Sequence, residues 1–190
     1  NGELIRNVAA TVQIRDSIAV VDTASLTSTI ADGNFSAKMN MLRPYDSDNQ
    51  LSIQANLKEM DALAPLAGVE ELGAEGNIKG SLRPFNNESL RFLGTLDLTD
   101  LQYNTLFAAD QAQGSVDIRT TQPLEYLADL DLTRPSFSGI QLQNLTLITQ
   151  GSYMDSTANG QYEFRSASPN EGRIEQAGSY ALMQDSVLVR

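Results

Sequence analysis

Apolar residues occupy every second position in run after run of this chain, and that alternation constrains its fold more than any other feature. Val8, Ala10, Val12 and Ile14 set the pattern, and Ile18 and Val20 resume it after the polar break Arg15-Asp16-Ser17. A period of two sends successive side chains to opposite faces of a strand, so one face is apolar and the other polar. Residues 25–30 continue the pattern, Asp32-Gly33 reads as a turn, and Phe35, Ala37, Met39 and Met41 alternate again. After a loop at 43–49, Leu51, Ile53, Ala55 and Leu57 complete five strands in meander order.

The middle of the chain adds a different element. Met60, Leu63 and Leu66 are three apart, which places them on one helical face, and Pro65 and Gly68 stop the piece early. A short helical plug near residues 58–67 is therefore expected. Two β-type runs follow, 76–82 and 94–98, joined by the turn-rich stretch 83–88. Strands are then expected around 110–119 and 126–132, and from Tyr153 through Tyr162, Phe164, Tyr180 and Leu182 to Val187 and Val189. Ile140 and Leu142 are in phase with each other but opposite in parity to Leu145 and Leu147, so a bulge or tight turn at Gln143-Asn144 must reset the register. A weak repeat of Gly-x-apolar-x-apolar, at Gly33, Gly94, Gly114, Gly160 and Gly178, fits either turn glycines or a stack of similar hairpins.

At 190 residues the chain fits a single β unit, 1–190. It starts without Met and ends on what reads as a strand in mid-course, so it is expected to be a segment of a longer repetitive protein. The formal charge of −11 disfavours nucleic acid and anionic membrane surfaces as partners. Cysteine and histidine are absent. That removes disulfides, thiolate ligands, the commonest general base, and every Ser-His or Cys-His pair. Neither a metal nor any other cofactor is expected, and the chain does not read as an enzyme.

The polar clusters carry little chemistry. Asp46-Ser47-Asp48-Asn49 lacks the glycine and distal Glu of a calcium loop and reads as an Asx-type turn. Asp97 and Asp131 sit between leucines, so alternation sends them, with Asp100 and Asp129, to the solvated face rather than to a catalytic pair. Asn144-Leu145-Thr146 satisfies the glycosylation pattern only formally.

What remains is the apolar face. Phe35, Met39, Met41, Ile53, Ile78, Leu82, Phe92, Leu96, Leu98, Val116, Ile118, Leu130, Leu132, Leu147 and Phe164 are expected to share one side of the sheet. Either a second sheet, or closure of the first, buries them as a dry core, or the sheet curls into an open groove that receives an apolar guest. The dry core is the simpler account of pattern alone. The aliphatic character of the set, without tryptophan, favours a groove for flexible acyl chains.

The central stretch resembles the AsmA/TamB-like family of bacterial envelope proteins. Leu57 to Leu66 lead through Gly73 to Gly76-Asn77-Ile78-Lys79-Gly80-Ser81-Leu82, then a Pro/Asn linker, then residues 93–103. The resemblance implies an all-β antiparallel meander curled into an open or partly closed, taco-like groove. It also implies a periplasmic segment anchored to the inner membrane by chain outside these residues. The implied partners are phospholipid acyl chains, an outer-membrane barrel protein and neighbouring segments of the same chain, with the fifteen residues above as the lipid-contacting set. The alternative is a structural or interaction β-sandwich module of an envelope or surface protein.

Overall fold

The computed structural model describes residues 5–58, 60–64, 70–155, 157–168, 172–183 and 186–189. These form one antiparallel sheet of fourteen strands. They are β1 (Ile5–Arg15), β2 (Ile18–Ser28), β3 (Ala31–Asn40), β4 (Gln50–Leu57), β5 (Leu72–Pro84), β6 (Leu90–Tyr103) and β7 (Phe107–Arg119). There follow β8 (Leu124–Thr133), β9 (Ser136–Phe137), β10 (Ile140–Gln141), β11 (Asn144–Met154), β12 (Thr157–Ser168), β13 (Gly172–Met183) and β14 (Ser186–Val189). Neighbours in the sheet are neighbours in sequence, except that β8 pairs with β11 while β9 pairs with β7 and β10. The sheet does not close into a barrel, and no second sheet lies against it among the described residues. The sandwich alternative has no second layer here.

Residues paired directly across an antiparallel ladder share a face. Between β4 and β11 the register aligns four inward rows of six residues. The first is Leu57, Gly76, Leu98, Ala112, Leu132, Leu145. The second is Ala55, Ile78, Leu96, Gly114, Leu130, Leu147, and the third is Ile53, Gly80, Gly94, Val116, Ala128, Thr149. The fourth is Leu51, Leu82, Phe92, Ile118, Tyr126, Gly151. No residue in these rows is charged, and only Thr149 and Tyr126 carry a polar side chain. The face opposite holds Asn77, Lys79, Thr95, Asp97, Gln113, Asp129 and Asp131.

The inward side chains are half-buried or buried, whereas their outward neighbours on β5, β6 and β8 are mostly exposed. A flat single layer would expose both faces equally. One-sided shelter without a covering layer means that the sheet curls about its apolar side, as the right-handed twist of strands permits. The result is an open trough. Its accessible surface is 12457 Å², against about 8,900 Å² for a compact monomer of the same mass.

Two features of the meander depart from plain alternation. Strand β2 carries an extra residue between Val21 and Ala24, felt by both β1 and β3, and this bulge leaves Asp22 and Thr23 exposed. Strand β6 bulges at Asp100, whose φ of 53° is in the left-handed region, and the shift is taken up against β5 alone.

The hairpin of β8 and β11 corrects the expected register reset at Gln143-Asn144. β9 continues β8 against β7 in unchanged register, and β10 continues β11 against β9 likewise. The pairing does not slip. Instead the hairpin kinks at Arg134-Pro135, with Arg134 at φ 47°, the Leu142 N–H donating to the Pro135 carbonyl at 2.8 Å and Pro135 fully buried. The kink separates Ile140 from Leu142: Ile140 is exposed, while Leu142 packs against the core.

The helical plug near 58–67 is also corrected. Among the described residues only a single 3-10 turn, Met60–Leu63, stands there; Glu59 and residues 65–69 lie outside the described residues. A spacing of three suits a 3-10 turn as well as an α-helix.

Gly76 sits in the ladder at φ 126°, and a Cβ there would collide with the Asp97 carbonyl oxygen. Gly76→Ala should lower unfolding stability by about 2 kcal/mol. Gly33→Ala meets nothing closer than the Gln54 carbonyl oxygen at 3.3 Å and should change stability by less than about 1 kcal/mol. Urea unfolding midpoints of the two variants check the contrast.

Candidate functional site

The curled apolar face carries four uncharged rows that run across six strands. Fourteen of the fifteen residues named from the sequence fall on it. Phe35 extends the third row next to Ile53, and Met39 lies one step beyond the fourth row, opposite Ala19. Ile53, Ile78, Leu82, Phe92, Leu96, Leu98, Val116, Ile118, Leu130, Leu132 and Leu147 stand in the four rows, and Phe164 extends the second beyond Leu147. Met41 is the exception. It lies past the end of β3 in the turn, its N–H donating to the Ser17 carbonyl at 2.9 Å, and is half exposed.

The face is not uniformly open. Ala112, Leu132 and Leu145 are buried at 0%, 2% and 4% exposure, because the kinked hairpin tip folds back over that rim of the trough. Phe137, on the tip, stands between Phe107 at 5.2 Å and Phe164 at 5.6 Å between ring centroids. Phe164 packs on Tyr162 at 4.8 Å, and Tyr162 approaches Tyr180 at 6.5 Å. A belt of rings therefore crosses the trough from one rim toward the other at the level of β12. Toward β1 the lining is more accessible, and Val8, Val12 and Ile14 on the edge strand are all more than half exposed.

The fourth row continues from Gly151 through Gly160 to Tyr180, so two tyrosines flank a pair of glycines. A Cβ on Gly151 would lie 2.6 Å from the Tyr126 hydroxyl, and one on Gly160 would lie 2.6 Å from the Tyr180 hydroxyl. The two rings thus lean toward each other over the glycine backbones. Their hydroxyls meet at 2.5 Å, and Thr149 Oγ1 is 2.8 Å from the Tyr180 hydroxyl. Burial, then the Tyr180 hydroxyl, pushes the pKa of Tyr126 well above that of a free phenol. Phe92 does without a polar tip what the tyrosines do, its ring lying over Gly80 and Gly94.

Tyr126, Tyr162, Tyr180, Phe107 and Phe137 were missed as lining residues by the sequence reading. The tyrosines had a usable signal, since they alternate in phase with apolar neighbours on their own strands. Phe107 and Phe137 had none, because the kink at Arg134-Pro135 that aims the tip is not a period-two feature.

The carboxylates lie on the other face. Asp97 accepts hydrogen bonds from Gln113 and Gln111 at 3.0 and 3.1 Å, which hold its pKa below the ordinary carboxylate value, Gln113 most of all. Asp117 accepts two from Arg91, at 2.9 and 2.7 Å, and one from Arg119. In the loop 43–49, Asp46 Oδ1 accepts from the Asp48 N–H at 3.0 Å, the geometry of an Asx turn. Shallow hollows of about 500 and 590 Å³ also occur on the polar side, over Gly151 and Gly160 and over Gly80 and Gly94. Their side chains are mixed in charge, and ionic groups among them pair with one another, Asp117 with Arg91 and Arg119, and Arg119 with Glu125.

Two measurements test this description. Phe137→Ala removes the cover over Leu132 and Leu145 and should cost about 2 kcal/mol in urea unfolding, less than a fully buried Phe because the ring is only half-buried. The pKa of Asp117 is lowered, chiefly by the Arg91 hydrogen bond. A carboxylate with a lowered folded pKa contributes stability above its unfolded pKa and loses it as pH falls through the folded one. Stability should therefore fall with acid below about pH 4, the ordinary range of an aspartate. Asp117→Asn should be less stable at neutral pH and show a shallower loss below pH 4.

No family model, no curated protein and no solved structure matches this chain.

Proposed function

We propose that this chain binds acyl chains along its apolar trough, as a segment of a periplasmic protein that conducts lipid or assists outer-membrane assembly. The observation that carries the reading is the uncharged lining left accessible by a sheet with no second layer. Water-exposed apolar patches beyond a few hundred Å² are rare on soluble monomers and mark sites of interaction. From β2 to β8 the trough is about 30 Å long at the usual spacing between strands, long enough for a lipid tail to lie across the strands. Each methylene buried there contributes about 0.8 kcal/mol, so a dozen give a useful gross affinity without specific polar contacts.

The resemblance of residues 57–103 to AsmA/TamB-like proteins supports the same reading and supplies its setting. In that setting the segment sits in the periplasm, attached to the inner membrane through chain outside these residues. Neighbouring segments and an outer-membrane barrel protein are its partners. No reaction is proposed: among the described residues the four inward rows carry no charged side chain.

Purified protein extracted with organic solvent should release phospholipid. Ile53→Glu and Ile118→Glu put charges into the accessible lining, away from the buried cluster of Ala112, Leu132 and Leu145. Each should cut the lipid yield severalfold while the circular dichroism and unfolding midpoint stay close to those of the parent. Loss of the fold in both variants, with no lipid in the parent, would point instead to a trough filled by the protein's own packing.

A further inference from the structure

The trough changes character along its length. Over the four rows from β4 to β7 every inward side chain is aliphatic, aromatic without a hydroxyl, or absent; the polar ones are Tyr126 on β8 and Thr149 on β11. These two are joined through Tyr180 into one chain of hydroxyls, Tyr126 to Tyr180 at 2.5 Å and Tyr180 to Thr149 at 2.8 Å. Resting on the proposed function, we propose that this hydroxyl chain is a hydrogen-bonding station for the ester carbonyl of an acyl-chain ligand, and that it sets the direction in which the chain lies.

The donor count supports a ligand at Tyr126. A hydroxyl gives one proton and accepts others. In one arrangement Thr149 donates to the Gln161 carbonyl at 3.2 Å, Tyr180 to Thr149 and Tyr126 to Tyr180, and every proton is used. In the other, Thr149 donates to Tyr180 and Tyr180 to Tyr126, leaving the Tyr126 proton for an acceptor outside the protein. The second gives up only the longest of the three bonds, to a carbonyl already within the β11–β12 ladder. A ligand acceptor at Tyr126 therefore replaces a weak bond with a new one. The raised pKa of Tyr126 keeps that proton in place at neutral pH.

The acceptor is a neutral carbonyl rather than a free carboxylate. No cation stands in the four inward rows, and a bare carboxylate there would lose hydration without an ionic partner. An ester oxygen asks for one neutral donor, which is what Tyr126 offers. The glycines fit this use: Gly151 and Gly160 leave room for the two rings to bring their hydroxyls together above the strands. With the carbonyl at β8–β12, the tail extends over β7, β6 and β5 toward β1, away from the aromatic belt of Phe137, Phe164 and Tyr162.

Ester and ether lipids separate the station from the trough. Purified protein is incubated with diacyl phosphatidylcholine or with its dialkyl ether analogue, which lacks the carbonyls, and retained lipid is measured after gel filtration. The parent should hold the ester lipid about fivefold more tightly, the worth of one neutral hydrogen bond. Tyr126→Phe should bring ester retention down to the ether level, whereas Tyr180→Phe, which removes only the protein partner of the Tyr126 hydroxyl and leaves its proton free for the ligand, should keep the preference. Equal retention of the two lipids by the parent, or an ester preference that survives in Tyr126→Phe, overturns the station and leaves the trough standing. Retention of neither lipid overturns the trough itself, and the station with it.

Discussion

A sheet with one layer depends on its ladder. Most β domains hold their strands by sandwiching side chains between two layers, so that a local pairing error is absorbed by the core. Here the backbone hydrogen bonds and the cross-strand contacts of a curled face carry that duty. A slip of one residue anywhere between β4 and β11 would turn a whole strand's apolar set outward. The observed irregularities respect this limit. The bulge in β2 expels Asp22 and Thr23 yet keeps Val21 and Ala24 inward, opposite Ala37 and Phe35. The bulge at Asp100 lies beyond Leu98, the last inward residue that β6 shares with β5 in the first row.

The same constraint explains how large rings are housed. Among the described residues no second sheet lies above the fourth row to receive them end-on, so Phe92, Tyr126 and Tyr180 lie down on neighbouring glycines. Phe92 covers Gly80 and Gly94, and Tyr126 and Tyr180 cover Gly151 and Gly160. Glycine in a strand interior is ordinarily a weakness. In a single layer it lets an aromatic side chain gain contact area without a second sheet.

How much of this was legible in the sequence follows from range. Alternation is local, and it assigned the inward face correctly at Ile53, Ile78, Leu96, Val116, Ile118 and Leu130, strand after strand. Met41 failed because parity carries on past the point where β3 ends, and parity holds no information about where a turn begins. The spacing of Met60, Leu63 and Leu66 looked like a helical face, but three-residue spacing cannot separate a 3-10 turn from the start of a longer helix. Ile140 and Leu142 looked in phase, and a backbone kink at Arg134-Pro135, on the partner strand, put them on different sides. The meeting of Tyr126 with Tyr180 spans 54 positions and depends on two glycines in the strands between them. No local pattern holds such information.

Stability and accessibility are divided between the two ends of the sheet. The buried apolar residues Leu98, Ala109, Ala112, Leu132, Leu145 and Tyr162 belong to β6, β7, β8, β11 and β12, at the end where the kinked tip and the ring belt lie. Among the described residues, the strands β1 to β5 contribute Ala24 alone to that class. Opening free energies in a protein follow local burial, so the covered end anchors the ladder and the uncovered end is held mainly through it. That division suits the proposed use of the trough, which requires it to stay open. If the lining over β2 to β6 were packed well enough to be stable by itself, nothing else could enter; with the anchor placed at the far end, those side chains can remain in contact with water without costing the protein its fold. The polar face contributes from outside, since Asp97, Asp129 and Asp131 give it like charge that opposes stacking of two such faces on each other.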